Sequence, residues 1–106
     1  MTVSEFDARL EHLARHNGLE CALELCQEEC AELVQALSKW RRAQRKGDLR
    51  AKHNSRIDVQ EELGDVLVTV TQLIYLMDNS AAVRRNMEEK LRRTFEREGL
   101  SLNGTR

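Results

Sequence analysis

Proline is absent from the 106 residues, and glycine occurs only five times. The chain therefore has few residues that interrupt helices or build tight loops. Aromatic residues make up 4% of it, so any core must be aliphatic. No apolar run approaches the roughly 18 residues of a membrane span. The start, Met1-Thr2-Val3-Ser4-Glu5, has neither the basic cluster nor the apolar stretch of a secretory leader. Cys21, Cys26 and Cys30 are odd in number and share one predicted helix, which argues against a disulfide framework. A reduced, cytoplasmic protein is the expectation. The 17 basic and 18 acidic side chains nearly cancel, leaving a net charge of -1. That balance gives no global attraction to nucleic acid or membrane, so neither is expected as a partner, and only local charge placement can argue otherwise.

What the chain has in abundance is Glu, Leu, Ala, Arg and Lys. They predict one all-α domain over residues 1–99 and a flexible tail over 100–106. Ser4 caps a first helix with Asp7 at its N3 position, and Asn17-Gly18 stops it. A second helix runs from Leu19 to Lys46 along a seam of Leu19, Leu23, Cys26, Cys30, Leu33, Leu37 and Trp40. Residues 48 to 56 are polar and aperiodic and read as a loop. Ser55 and Asp58 start a third helix with the seam Val59, Leu63, Val66, Val70, Leu73 and Met77. Ser80 caps the fourth, lined by Val83, Met87, Leu91 and Phe95 up to Gly99. The run Val66–Thr71 is β-prone in isolation, but the seam continues through it and no second strand is there to pair with it. The expected architecture is a four-helix bundle-like protomer around an antiparallel central pair. Apolar residues outside the seams, such as Val34, Leu67 and Ile74, predict a homo-oligomer with a dimer as the minimum unit.

Two acidic clusters stand out, Glu28-Glu29-Cys30-Ala31-Glu32 and Glu61-Glu62-Leu63-Gly64-Asp65. In each, two carboxylates three residues apart share one side of a helix: Glu29 with Glu32, and Glu62 with Asp65. At about 100° per residue, Glu29 and Glu62 lie roughly 60–70° from their seams. Glu32 and Asp65 lie roughly 120–130° away, while Glu28 and Glu61 point backwards. The displacement has the same rotational sense in both helices. An antiparallel, seam-to-seam pair therefore gathers all four carboxylates on one side. Such a cluster needs a cation, and magnesium suits it as a hard ion that shares its shell with substrate phosphates. Manganese is the expected substitute. No His or Cys set converges to favour zinc.

Other candidates carry less information. Lys90, with Asn86 and Arg93 in helical spacing, can bind phosphate oxygens or form a solvated basic face. Lys39, Arg41, Arg42 and Arg45 continue into Lys46, Arg50 and Lys52, a basic run able to steer polyphosphates but read first as a solvated helix end. Trp40 can stack on a base, though its seam position favours a core role. Cys26 and Cys30 read as small buried hydrophobes, and His12 and His16 as surface residues.

The two acidic motifs together resemble the MazG-like all-α nucleoside triphosphate pyrophosphohydrolases, whose signature is Glu-Glu-x-x-Glu followed by Glu-x-x-Asp. Here these are Glu28-Glu29-Cys30-Ala31-Glu32 and Glu62-Leu63-Gly64-Asp65, and the likeness extends from about Gly18 to Arg93. It implies a helical homodimer or homotetramer in which Glu29, Glu32, Glu62 and Asp65 hold magnesium. It also implies cleavage of a (d)NTP between the α- and β-phosphates, giving a monophosphate and pyrophosphate in nucleotide-pool clean-up. Lys90, and after it Arg93, would hold phosphates. Members often end in a Lys-x-x-Arg-Tyr-Pro-like segment, whereas this chain reads Lys90-Leu91-Arg92-Arg93-Thr94-Phe95. The same fold serves enzymes acting on phosphoribosyl-ATP and dUTP. The competing class is a non-enzymatic helical interaction module.

Overall fold

A computed structural model describes residues 1–103. Its described residues form three helices and no strand: α1 (Val3–Lys46), α2 (Leu49–Met77) and α3 (Ser80–Glu98). None is long and apolar enough to cross a membrane. The first helix begins earlier than Ser4 predicts. Thr2 caps it: the Glu5 amide donates to the Thr2 hydroxyl at 3.1 Å, and the Thr2 amide donates back to the Glu5 carboxylate at 3.3 Å. This reciprocal pair uses the sequence-favoured Glu at N3, which Ser4 with Asp7 could not offer.

Gly18 is the boundary expected between the first two helices, but α1 bends there without a loop. Its φ of 76° and ψ of 169° lie in a region open essentially to glycine alone. The bend turns the first arm, residues 3–17, against α2. There Ala14 is fully buried, and Asn17 Nδ2 donates to Gln72 Oε1 at 2.9 Å. Arg15 Nε donates to the Tyr75 hydroxyl at 2.8 Å, and that hydroxyl donates to Glu11 at 2.9 Å.

The loop expected over 48–56 is helix instead. The side chain of Asp48 accepts from the amides of Arg50 and Ala51, starting α2 directly after Gly47, which ends α1 in the left-handed conformation. Ser55 therefore caps nothing; inside α2 its hydroxyl donates to the Ala51 carbonyl at 2.6 Å. Polar composition suggested a loop, but one good N-cap next to a C-terminal glycine suffices for a two-residue turn. The resulting antiparallel α1–α2 hairpin, centred on Gly47-Asp48, sets Glu29 and Glu32 level with Asp65 and Glu62.

The contact between these helices is rotated from the predicted seams. On α1 the residues turned inward are Ala22, Cys26, Glu29, Leu33, Ala36, Trp40 and Ala43, all buried or half-buried. On α2 they are Ser55, Val59, Glu62, Val66, Thr69, Leu73 and Leu76. Every second seam position has moved back one residue, a mean rotation of about 50°. The physical reason is size. Alanines at 22, 36 and 43 and hydroxyl residues at 55 and 69 let the backbones approach, whereas a leucine seam holds them apart. Leu19, Leu23 and Leu37 on α1, with Leu63 and Met77 on α2, are left exposed, and so is Cys30, contrary to its expected burial.

The third helix corrects the bundle-like expectation for one protomer. It meets only the end of α2 and buries none of its own residues. Asn79, not Ser80, is its N-cap residue, and it makes no side-chain capping bond. Gly99 closes it in the left-handed region, with the Leu100 amide donating to the Phe95 carbonyl at 2.9 Å. Residues 104–106 of the expected tail lie outside the described residues.

Candidate metal centre

Because the seams are rotated, Glu29 and Glu62 do not flank the α1–α2 contact; they sit in it. Each occupies an inward heptad position where an apolar residue would ordinarily stand, and each is half-buried. One carboxylate oxygen of each, Oε2, is shielded from solvent and accepts no hydrogen bond when the acids are ionised, while a proton on either acid can be shared with Glu32 or between them. Glu32 joins them from the exposed edge of α1. Oxygens from Glu29, Glu32 and Glu62 lie within 4.8 Å of one another. Asp65 is exposed beside this trio, and its charge acts on both Glu29 and Glu62.

The electrostatics follow from that crowding. Burial, then the charges of Glu32, Asp65 and Glu62, push the Glu29 carboxyl up to about 7. Burial, then Glu32 and Asp65, raise Glu62 as well. Among the described residues, the groups acting on these two acids are other acids, so no cation of the chain compensates them. Uncompensated, the Glu29 carboxyl keeps its proton up to about pH 7.

An all-carboxylate set with two unpartnered buried oxygens fits a hard divalent cation. It does not fit zinc, since no imidazole or thiolate belongs to it. Glu28 and Glu61 are exposed and outside the trio; with the seams rotated they point less directly backwards than expected, one turn from Glu32 and Asp65.

The expected substrate-binding residues are not gathered at the acids within one protomer. Lys39 is exposed on α1. Trp40 lines a separate cleft of about 410 Å³ with Gln44, Lys52, His53 and Arg56, roughly 12 Å along α1 from Glu32. Asn86, Lys90 and Arg93 lie exposed on α3, where Arg93 approaches Glu89 at 3.9 Å. The sequence reading missed His53 and Arg56 as cleft residues because it placed them in a loop. Asp48 as an N-cap would have brought Lys52 and Arg56 onto one helical face.

No match was found among curated proteins or solved structures. The family model of the MazG nucleotide pyrophosphohydrolase domain does match, over residues 18–96. That span starts at the bend in α1 and contains the whole hairpin, its four clustered acids and most of α3. With the match covering most of the chain and the acids of both motifs facing one another, this protein belongs to the MazG nucleotide pyrophosphohydrolase family.

Proposed function

We propose that this protein hydrolyses nucleoside triphosphates, (d)NTP, to the monophosphate and pyrophosphate in a magnesium-dependent reaction. The observation that carries the reading is the pair of buried, unpartnered carboxylate oxygens of Glu29 and Glu62, facing each other across the hairpin beside Glu32 and Asp65. A stable interior seldom leaves such atoms unsatisfied. Glu29, Glu32, Glu62 and Asp65 would hold the metal. Bound there, magnesium supplies charge neutralisation for the triphosphate and a lowered pKa for water.

The chain's own residues do the rest. The seam fixes Glu29 and Glu62 on rigid helices, which keeps their carboxylates in place before substrate arrives. Ionised, the acids accept and do not donate, so they repel a bare triphosphate and admit it only together with its cation. The proton that Glu29 keeps up to about pH 7 leaves as the site is loaded. Hydrolysis adds water across the α–β phosphoanhydride, and the bridging oxygen departs with pyrophosphate. Lys90, Arg93 and Asn86 are the proposed phosphate ligands on α3, with Lys39 and Trp40 contributing from α1. Because α3 stands off from α1, a homodimer or homotetramer is the proposed working unit, in which a second copy packs on the open apolar face.

A pyrophosphate-release assay over the common NTPs and dNTPs, with magnesium and with EDTA, tests the proposal. Release that needs magnesium and disappears in Glu62→Gln supports it. No release with any of these substrates would favour the interaction-module reading, to which the exposed leucines of the hairpin also speak.

A further inference from the structure

The hairpin tip holds most of the chain's uncompensated positive charge. Residues 39–56 contain eight Lys or Arg and one acid, Asp48, while the other 88 residues hold nine Lys or Arg and 17 acids. Asp48 is occupied as the cap of α2. The ion pairs found among the described residues lie in the first arm and in α3, and none involves a tip cation. A net charge of -1 thus conceals a strongly divided molecule.

The arrangement is ordered. Down the open face of the hairpin the apolar stripe ends at Leu37 on α1 and Leu63 on α2. Beyond them come Arg41 and Arg45 on α1, one turn apart and turning progressively toward the back of that helix, and Lys52 and Arg56 on α2. Each is an i,i+4 pair of like charges, unfavourable by a few tenths of a kcal/mol on an isolated helix. Lys52 and Arg56 line the cleft that also holds Trp40, Gln44 and His53. By the same count, Glu32 and Asp65 emerge on the opposite face of the hairpin.

We infer that the hairpin tip is a docking surface for single-stranded nucleic acid. Phosphates lie along the two cationic rows, and a base packs against Trp40 in the cleft. The cations run about 10 Å along α1, from Lys39 to Lys46, and continue on α2 to Arg56, a longer track than one triphosphate offers. Five of the eight are arginines, suited to phosphate by their forked donors. A membrane surface would instead require an apolar face at the tip, where Leu49 is the one large exposed aliphatic residue between Arg41 and Arg56. Backbone charge with an aromatic platform is the usual means of holding a single strand.

Trp40 is the only tryptophan, so its fluorescence reports on the cleft directly. The full chain in EDTA, where hydrolysis is silent, is titrated with a labelled oligonucleotide of about 12 nucleotides, following anisotropy and Trp40 emission at increasing NaCl. With four cations engaged, the slope of log affinity against log salt should be about -3, or roughly 50-fold weaker binding between 50 and 200 mM. Arg41→Gln with Arg45→Gln should halve that slope, and the Lys counterparts should keep it. Glu62→Gln should bind the strand as wild type does, which separates this inference from the hydrolytic reading. An unchanged slope in the Gln variant overturns it. So does binding to phosphatidylserine vesicles with no binding to the strand.

Discussion

Glu29 and Glu62 matter because of where they stand, in the contact between two helices and not on a solvated face. Neutralising either would remove a proposed metal ligand and a repulsive charge together. Glu62→Gln should therefore lower pyrophosphate release by at least roughly 100-fold, by the scale set when charge-stabilising groups are lost. The same variant should melt no lower than wild type in EDTA. Glu28→Gln and Glu61→Gln, on exposed outer positions, should stay within about threefold of wild type in the same assay. Titration gives an independent check. The Glu29 carboxyl rises from the usual 4.5 to about 7 in the folded protein, and Glu62 moves in the same direction. The folded state therefore binds these protons more tightly than the unfolded chain does. For Glu29 the stabilising contribution is complete below about pH 4.5 and is lost as pH rises through about 7. Metal-free wild type should lose melting temperature relative to Glu29→Gln across that window. Its magnesium affinity should climb over the same range, since the ligands must give up protons.

At the level of elements, the hairpin is set by two small devices, the bend at Gly18 and the turn at Gly47-Asp48. Gly18→Ala forces a side chain into a backbone region reserved for glycine and should cost about 1–3 kcal/mol, read as a lower denaturant midpoint. Asp48→Ala should cost about 1 kcal/mol by removing the cap of α2. These devices also mark how far the sequence could be read. The helical class, the boundaries at Gly18, Gly47 and Gly99, and the four clustered acids follow from glycine positions and carboxylate spacing. The start of α2 did not, because Asp48 was overlooked as a cap within a polar stretch. The rotation of the seams was hidden for a related reason. Hydrophobicity marks leucines as the interface, but close helix approach selects Ala22, Ala36, Ala43 and Thr69. The leucines are left exposed, on the face proposed to meet a second copy. The placement of α3 was equally illegible, since the apolar pattern of Met87 and Leu91 says that the helix packs but not against what.

For the whole molecule, the open apolar face and the sparse packing of α3 are the grounds for the proposed dimer or tetramer. Light scattering should give a mass at least twice the 12.3 kDa of one chain at micromolar concentration. Leu23→Glu with Leu63→Glu should shift the protein toward monomer, because both side chains lie exposed on that face. A wild-type mass of one chain would contradict the proposed assembly. Whether the four acids form a single cation site is tested most directly by thermal melting. Wild type and a Glu29→Gln, Glu62→Gln variant are melted at neutral pH in EDTA, in millimolar magnesium, and in sodium chloride of matched ionic strength. Binding to the folded state alone raises stability by mass action, while screening acts weakly on partly buried charges. Magnesium should raise the melting temperature of wild type well beyond the effect of sodium and leave the variant unmoved. An equal response of the two proteins to magnesium would show that the acids hold no metal.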